Sequence, residues 1–276
     1  MEKVLEVAHL SKCYPGFTLD DVSFSLLSGT ITGFIGRNGA GKTTTLRSLL
    51  NLVHPDGGSV RFFGMNFTEH ELEIKRQIGF VSGAVGFYPR KELGAITAVS
   101  RQFYDNWDGE AYRRCLREFG LSENKKPAEL SEGMKVKYAL TLALSHRARL
   151  LILDEPTSGL DPVSREELLE TFLHLVRQEG VTLLFSTHIT SDLDKCADEI
   201  LYIRKGKLVE QGPLDAFVSG YRVVTTAEKP GGDVIGAREC RNGWSGLIHS
   251  GDPVPVGTAA GDADLESVMV HLEQEA

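Results

Sequence analysis

Residues 36–44 read GRNGAGKTT, and they lie between an apolar strand pattern at 30–36 (TITGFIG) and a helical pattern at 41–51. The motif G-x-x-x-x-G-K-[ST] in this strand-to-helix context predicts a loop that binds phosphate groups. Its glycines let successive backbone N–H groups point at phosphate oxygens, and the following helix adds the positive end of its dipole. The candidate phosphate-binding residues are Gly36, Arg37, Asn38, Gly39, Ala40, Gly41, Lys42, Thr43 and Thr44. Lys42 is placed to reach the β- and γ-phosphates, and the Thr43 hydroxyl to bind Mg²⁺.

A second motif, LLILDEP at 150–156, has the pattern of a fully buried parallel strand with an acidic residue at its carboxyl end. Open α/β sheets bind ligands at the carboxyl ends of their strands, so Asp154 is a candidate Mg²⁺ ligand. Glu155 comes next and is a candidate for orienting or activating an attacking water. An acidic cap on the following helix is the alternative interpretation. Together with residues 36–44, the motif indicates a nucleoside triphosphate bound with Mg²⁺.

Strand and helix patterns alternate along most of the chain, which predicts an α/β fold with a doubly wound sheet. The block 92–146 contains three helical patterns and no convincing buried strand, so we interpret it as a helical insertion. The composition shifts from about residue 221, and 229–262 is rich in Gly, Pro and Asp. We expect residues 221–276 to form a small appended element that closes with a helix over 263–275.

Composition excludes several classes of protein. The 276 residues carry a formal net charge of −8, which argues against bulk nucleic-acid binding. A hydrophobic content of 41% and a charged content of 25% are typical of an ordinary globular protein. The 4 cysteines show no C-x-x-C spacing, so reduced thiols are expected. No secretory signal and no apolar run of membrane-spanning length is visible, so any membrane role requires a partner.

The segment LSEGM at 130–134 resembles the LSGGQ signature of the ATP-binding-cassette (ABC) ATPases. The resemblance extends over residues 1–220: SGLD at 158–161 is similar to the D-loop of that family, and STH at 186–188 to its switch-histidine segment. It implies a P-loop NTPase (RecA-like) doubly wound sheet with an antiparallel β subdomain. It also implies a helical subdomain at about 84–146 within a nucleotide-binding domain at 1–220.

The resemblance also implies the chemistry. Two such domains would hold two ATP·Mg²⁺ head to tail, with Ser131 and Gly133 at the γ-phosphate of the ATP on the other protomer. Asp161 would support the dimer interface and the attacking water. His188 would contact the γ-phosphate and orient that water with Glu155, and Tyr14 would stack on adenine.

The sequence departs from the family pattern at two places. Glu132 and Met134 replace a glycine and a glutamine of the signature. In IGFVSG at 78–83, Gly83 stands where many members have a glutamine that helps bind Mg²⁺. We expect slower hydrolysis or looser coupling from the second change, with ATP binding retained.

A narrower resemblance rests on FYDNWD (103–108), FGL (119–121), LSEGMKVK (130–137) and FSTHITSDL (185–193), which are similar to ATPase subunits of acetoin-utilisation-type (Ytr-like) bacterial exporters. It implies an ATP-hydrolysing subunit, paired with itself or a sister subunit, that drives a separate permease at the inner face of the cell membrane. Block 92–146 and the loop around Gly83–Arg90 would meet that permease. The alternatives are a soluble ABC ATPase that acts on nucleic acid or ribosomes, and a nucleotide-dependent switch that regulates a membrane partner.

Overall fold

The computed structural model describes residues 2–82, 86–241 and 243–274. Its strands are β1 (Lys3–Tyr14), β2 (Phe17–Leu27), β3 (Ile31–Ile35), β4 (Gly57–Phe62), β5 (Met65–Asn66), β6 (Ile78–Ser82), β7 (Leu150–Asp154), β8 (Thr182–Thr187), β9 (Glu199–Arg204), β10 (Lys207–Pro213), β11 (Tyr221–Thr226), β12 (Ile235–Cys240), β13 (Gly243–His249) and β14 (Ala259–Asp262). Its α-helices are α1 (Lys42–Leu49), α2 (Phe67–Lys75), α3 (Leu93–Ser100), α4 (Gly109–Glu118), α5 (Glu132–Ser145), α6 (Pro162–Glu179), α7 (Thr190–Cys196), α8 (Leu214–Ser219) and α9 (Leu265–Leu272).

A six-stranded sheet with the order β10-β9-β3-β8-β7-β6 forms the centre of the molecule. All its neighbouring strands are parallel except β10, which runs antiparallel to β9 at the edge. The register pairs Ile35 with Thr187, and Asp154 with both Ser186 and Ser82. The carboxyl ends of β3, β6, β7 and β8 therefore meet at one edge, as the alternating sequence pattern predicts.

An antiparallel sheet with the order β2-β1-β4-β5 covers one face of the central sheet. Leu5, Leu19 and Phe62 from this sheet are fully buried in one apolar cluster with Phe34 of β3 and Leu46 of α1. A tight turn joins β1 to β2, with Tyr14 opposite Phe17. This arrangement confirms the fold class, including the antiparallel β subdomain.

Helices α3, α4 and α5 form the insertion between β6 and β7 and have an apolar cluster of their own. Tyr138 is fully buried at its centre, where its hydroxyl donates to Leu93 O at 2.9 Å and lies 2.8 Å from Thr97 Oγ1. Trp107 packs against Tyr112 with ring centroids 5.7 Å apart. The described part of the insertion therefore folds around its own core beside the main sheet.

The C-terminal residues form a second antiparallel sheet, with the order β12-β13-β11-β14, and α9. The sequence predicts a closing helix over 263–275, and α9 lies within that range. Leu247, Leu265, Val268 and Leu272 belong to the same apolar cluster as the helices α5 and α6 of the main body. The single indole of this sheet, Trp244, lies under the Lys229 ammonium at 5.5 Å. The element thus shares the main core through α9.

No helix in the described part of the chain is long and apolar enough to span a bilayer.

Candidate functional site

The loop between β3 and α1 has the glycines that its sequence predicts, and two of them are required by geometry. A Cβ on Gly36 would lie 2.4 Å from Ile203 O, so a side chain there would collide with β9. Gly41 has φ = +117°, a conformation that L side chains rarely adopt. Ala40 is buried, and its carbonyl accepts a hydrogen bond from Gly206 N at 2.9 Å. The loop is therefore held against the turn between β9 and β10.

Lys42 is the first residue of α1, and its side chain is 5% exposed. Its Nζ donates to Gly36 O at 2.6 Å and lies 3.3 Å from Glu155 Oε1. The ammonium group therefore folds back over the loop, where it is placed to bind the terminal phosphates of a bound nucleotide.

Asp154 ends β7 beside the start of α1 and is 5% exposed. Its Oδ1 accepts hydrogen bonds from Thr43 Oγ1 at 3.0 Å and from Ser186 Oγ at 2.8 Å. Ser186 Oγ in turn accepts from Glu155 N at 2.9 Å. This serine was missed as a site residue because the pairing of β7 with β8 brings it to Asp154.

The Thr43 hydroxyl and the Asp154 carboxylate are oxygen donors of the kind that Mg²⁺ prefers. Within residues 2–82, 86–241 and 243–274, no group of three or more His, Cys, Asp and Glu is arranged to hold a metal. Mg²⁺ commonly binds through one or two protein oxygens plus waters and substrate phosphates. The pair therefore fits Mg²⁺ that arrives with a nucleotide.

Glu155 and His188 are hydrogen-bonded to each other. The distance from His188 Nδ1 to Glu155 Oε2 is 2.7 Å, and the two side chains are 42% and 20% exposed. With Nδ1 bonded to the carboxylate, Nε2 is the ring nitrogen left for a ligand. Glu155 has φ = +53°, an uncommon backbone conformation for a residue other than glycine, and such outliers occur often at functional sites.

Lys42, Thr43, Glu155 and His188 line one open pocket of about 600 Å³, and Asp154 lies outside its lining. Its lining consists of Gly16, Phe17, Arg37, Asn38, Gly39, Gly41, Lys42, Thr43, Thr44, Glu155, Ser158 and His188. The positive charges of Arg37 and Lys42, the loop amides and the α1 N-terminus make this pocket suited to a polyanion.

Tyr14, the predicted adenine-stacking residue, is not in the lining of this pocket among the described residues. It is 38% exposed at the end of β1, with the Lys12 ammonium 5.6 Å from its ring centroid. Phe17 lines the pocket instead, with its Cζ 3.0 Å from the position of a Cβ on Gly41. Sequence reasoning missed Phe17, because only the β1–β2 hairpin brings it to the loop.

Ser131 and Gly133 lie outside the lining formed by the described residues of the same chain. Ser131 is the N-cap of α5 and accepts a hydrogen bond from Met134 N at 3.2 Å. Gly133 is buried against the start of α6, where a Cβ would lie 3.6 Å from Ser164 Cβ and 3.7 Å from Leu160 Cδ2. Glu132, the acid inside the signature, forms an ion pair with Lys135 at 2.6 Å.

Asp161 is the N-cap of α6 and accepts hydrogen bonds from Val163 N, Ser164 N and Ser164 Oγ. The Ser164 hydroxyl first, and then its backbone N–H, hold the pKa of this carboxyl below its ordinary value. Asp161 is thus a fixed negative charge beside the signature. The predicted effect of Gly83 falls on a residue outside the described ranges.

The chain is similar to one protein family and to several known proteins. A protein family described as ABC transporter matches residues 19–158. The bacitracin transport ATP-binding protein BcrA of Bacillus licheniformis is 35% identical over 218 residues, which cover 78% of this chain and 71% of BcrA. The ABC transporter ATP-binding protein YtrB of Bacillus subtilis (strain 168) is 30% identical over 219 residues, which cover 79% and 75% of the two chains.

Among solved structures, the dimeric structure of MJ0796, a bacterial ABC transporter cassette, superposes with a TM-score of 0.68. The alignment covers 76% of this chain and 98% of that one at 23% identity. The likeness at this identity supports the same fold.

Proposed function

This chain belongs to the ABC transporter family as an ATP-binding ATPase subunit, and we propose that it hydrolyses ATP between two head-to-tail cassettes to drive an export permease. The observation that carries the proposal is the chain of contacts from Lys42 through Glu155 to His188 on one side of the phosphate loop. Those three side chains are the ones that a phosphoryl transfer to water needs for charge stabilisation and positioning.

Lys42 would exchange its contacts with Gly36 O and Glu155 for oxygens of the β- and γ-phosphates. The loop amides from Arg37 to Thr44 would bind the same phosphates from below. Mg²⁺, when bound through Thr43 and Asp154, would neutralise charge on the β- and γ-phosphate oxygens.

Glu155 would position a water in line with the γ-phosphorus and accept its proton. As the water oxygen bonds to phosphorus, the bond from phosphorus to the β–γ bridging oxygen breaks, and ADP leaves with that oxygen. With Nδ1–H donating to Glu155 Oε2, His188 would donate from Nε2 to the γ-phosphate in its doubly protonated form.

Ser131 and Gly133 would complete the site of a second cassette, which agrees with their position outside the pocket of their own chain. The backbone N–H groups of Glu132 and Gly133 at the start of α5 would point at the γ-phosphate across the interface. The ion pair of Glu132 with Lys135 reduces the repulsion that this acid would otherwise exert there.

The permease would dock where the helical insertion meets β6. A groove of about 320 Å³ lies there, between Phe80, Phe87, Tyr104 and Leu142. Tyr88 and Phe103, which are 75% and 68% exposed, stand on the same insertion and offer apolar surface. BcrA is named for bacitracin transport, and this relationship favours export and a position at the inner face of the membrane.

The decisive variant is Glu155→Gln, which keeps the size of the side chain and one acceptor oxygen but removes the basic carboxylate. We expect ATP binding within about threefold of the parent and turnover lowered by roughly a hundredfold or more, in line with loss of general-base catalysis. Both are measured by nucleotide-binding fluorescence and phosphate release.

The matched control is Glu170→Gln, on an exposed position of α6, which should turn over as the parent does. Parent-like turnover of Glu155→Gln would remove Glu155 from its assigned role as the base.

A further inference from the structure

A second groove adjoins the nucleotide pocket on the C-terminal side. It has a volume of about 690 Å³ and shares Arg37, Asn38 and His188 with that pocket. Its far wall is α9 with its C-cap residue, and these contribute Glu266, Met269, Val270 and Glu273. Ile189 also lines this groove. The C-terminal element therefore forms one side of a groove that opens beside the phosphate loop.

The wall is fixed to the catalytic sheet. Tyr202 of β9 donates its hydroxyl hydrogen to Glu273 Oε1 at 3.0 Å, and Arg204 of β9 donates to Leu272 O. His271 donates from Nδ1 to Gly236 O at 2.8 Å, which leaves Nε2 to accept from Ser245 Oγ at 3.1 Å. Since Gly36 packs directly on Ile203 of β9, α9 and the phosphate loop are held on the same strand.

An exposed apolar side chain occurs at the start of α6. Val163 is 69% exposed, and it stands two positions after Asp161. The hydrogen bond from Val163 N to Asp161 Oδ1, 3.0 Å long, fixes the backbone at this point. The same first turn of α6 packs against Gly133 of the signature through Ser164.

A head-to-tail pair would bring the groove of one copy close to the first turn of α6 of the other copy. The signature helix of one copy would cover the phosphate loop of the other, and the first turn of α6 is packed against that signature. The turn is therefore carried to the edge of the loop at Arg37 and Asn38, where the groove begins.

We propose that this groove is the docking site for the first turn of α6 of a second copy, with Val163 of one copy packed against Ile189 and Val270 of the other. The C-terminal element would then be part of the ATP-closed dimer interface, and each nucleotide site would be bordered by α9 of its own chain. The inference rests on the proposed head-to-tail function.

The test is a crosslink between two differently sized copies. Both carry Glu155→Gln, to retain ATP, and Cys13→Ser and Cys240→Ser, because these two thiols are exposed or partly exposed whereas Cys115 and Cys196 are buried. One copy carries Val163→Cys, and the other carries Val270→Cys and a size tag. With ATP·Mg²⁺ and a thiol oxidant, we expect a covalent heterologous dimer of unique mass that is at least tenfold more abundant than without nucleotide.

The matched control replaces Val270→Cys by Val209→Cys, which is on the edge strand β10 and 45% exposed in the parent. A light-scattering measurement of the same mixtures reports whether the dimer forms at all. An ATP-dependent dimer whose Val163–Val270 crosslink stays at the Val209 level overturns the docking proposal and leaves the proposed function intact. No ATP-dependent dimer overturns the head-to-tail function and this inference with it.

A second variant tests the energetics. Val163→Asp should weaken the ATP-dependent dimer at least tenfold, because it places a carboxylate among apolar side chains near Glu266. Nucleotide binding by the monomer should stay as in the parent. Leu72→Asp, at a 67% exposed position of α2, is the control and should dimerise normally. Equal dimer affinity of the Val163→Asp and Leu72→Asp variants would contradict the proposal.

Discussion

Lys42 combines deep burial with a full charge, and the loop carbonyl of Gly36 and the carboxylate of Glu155 compensate that charge. Such an arrangement keeps the ammonium in position before a nucleotide arrives. The loop could be recognised from sequence for a different reason. Its glycines, lysine and threonine act through the local backbone, so their spacing alone predicts the phosphate-binding loop.

Lys42→Ala should weaken ATP binding by roughly ten- to a hundredfold, the range expected when a charge-assisted hydrogen bond is lost, and turnover should fall with it. Titration of a fluorescent ATP analogue measures the affinity. Lys137→Ala is the control, because Lys137 is also largely buried and paired, with Glu167, but lies on α5 away from the pocket. An unchanged ATP affinity for Lys42→Ala would defeat the phosphate-loop assignment.

His146 makes stability depend on pH. It is 3% exposed and stacked on Tyr104, with ring centroids 3.9 Å apart, and its Nδ1 donates to Arg76 O at 3.1 Å. Burial lowers the pKa of His146 from 6.5 to about 4. Between these two pH values the unfolded chain binds a proton that the folded chain does not, so the free energy of unfolding falls as the pH falls.

His146 should therefore lower the free energy of unfolding by about 3 kcal/mol as the pH falls from 6.5 to 4, and should leave it unchanged above pH 7. Urea unfolding of the parent and of His146→Asn, over that pH range, measures the difference. The variant should show the shallower pH profile, whatever its stability at neutral pH. Parallel pH profiles for the two proteins would show that His146 does not cause this pH dependence.

The N-terminus of α5 has two separable tasks, since Ser131 both caps the helix and is assigned to a phosphate of the neighbouring cassette. Aspartate caps helices about as well as serine. Ser131→Asp should therefore melt within a few degrees of the parent, but its charge should repel the γ-phosphate and lower turnover at least tenfold.

Ser131→Ala removes the helix cap without adding a charge. Loss of the cap should lower the free energy of unfolding by about 1 kcal/mol. Thermal melts and ATPase assays of both variants separate the two tasks. Parent-like hydrolysis by Ser131→Asp would show that α5 does not face a phosphate.

The parallel strands explain which parts of the site were accessible from sequence. Asp154 is the last residue of β7, and Glu155 and His188 directly follow β7 and β8, whose ends the parallel register brings together. Phe17 belongs to an antiparallel hairpin, whose approach to Gly41 depends on how one sheet packs on another.

The strands of residues 221–262 were not predicted, and their burial explains why. All four residues of β14 are exposed, and β12 has no fully buried residue, so neither shows the alternation that marks a strand with one face in a core. Their pairing is set by backbone hydrogen bonds within the sheet. The closing helix could be predicted because Leu265, Val268, Met269 and Leu272 repeat with helical spacing.

The C-terminal element is expected to be required for folding of the whole chain. The four buried apolar side chains of α9 each contribute about 1.5–3 kcal/mol by burial, and their sum is of the order of the net stability of a domain. They are Leu265, Val268, Met269 and Leu272. A chain that ends at Gly220 should fail to accumulate as a folded monomer, as judged by gel filtration and by the cooperativity of its thermal melt. A truncated chain that melts cooperatively and binds ATP as the parent does would contradict this prediction.

The two tryptophans, Trp107 and Trp244, lie one in the helical insertion and one in the C-terminal sheet, so the catalytic sheet has no indole of its own. Intrinsic emission of the unlabelled protein therefore reports on the two flanking parts separately. In Trp107→Phe the remaining signal follows the C-terminal sheet, and in Trp244→Phe it follows the insertion. Stopped-flow mixing with ATP would then give the order in which the two flanks respond, with no dye attached.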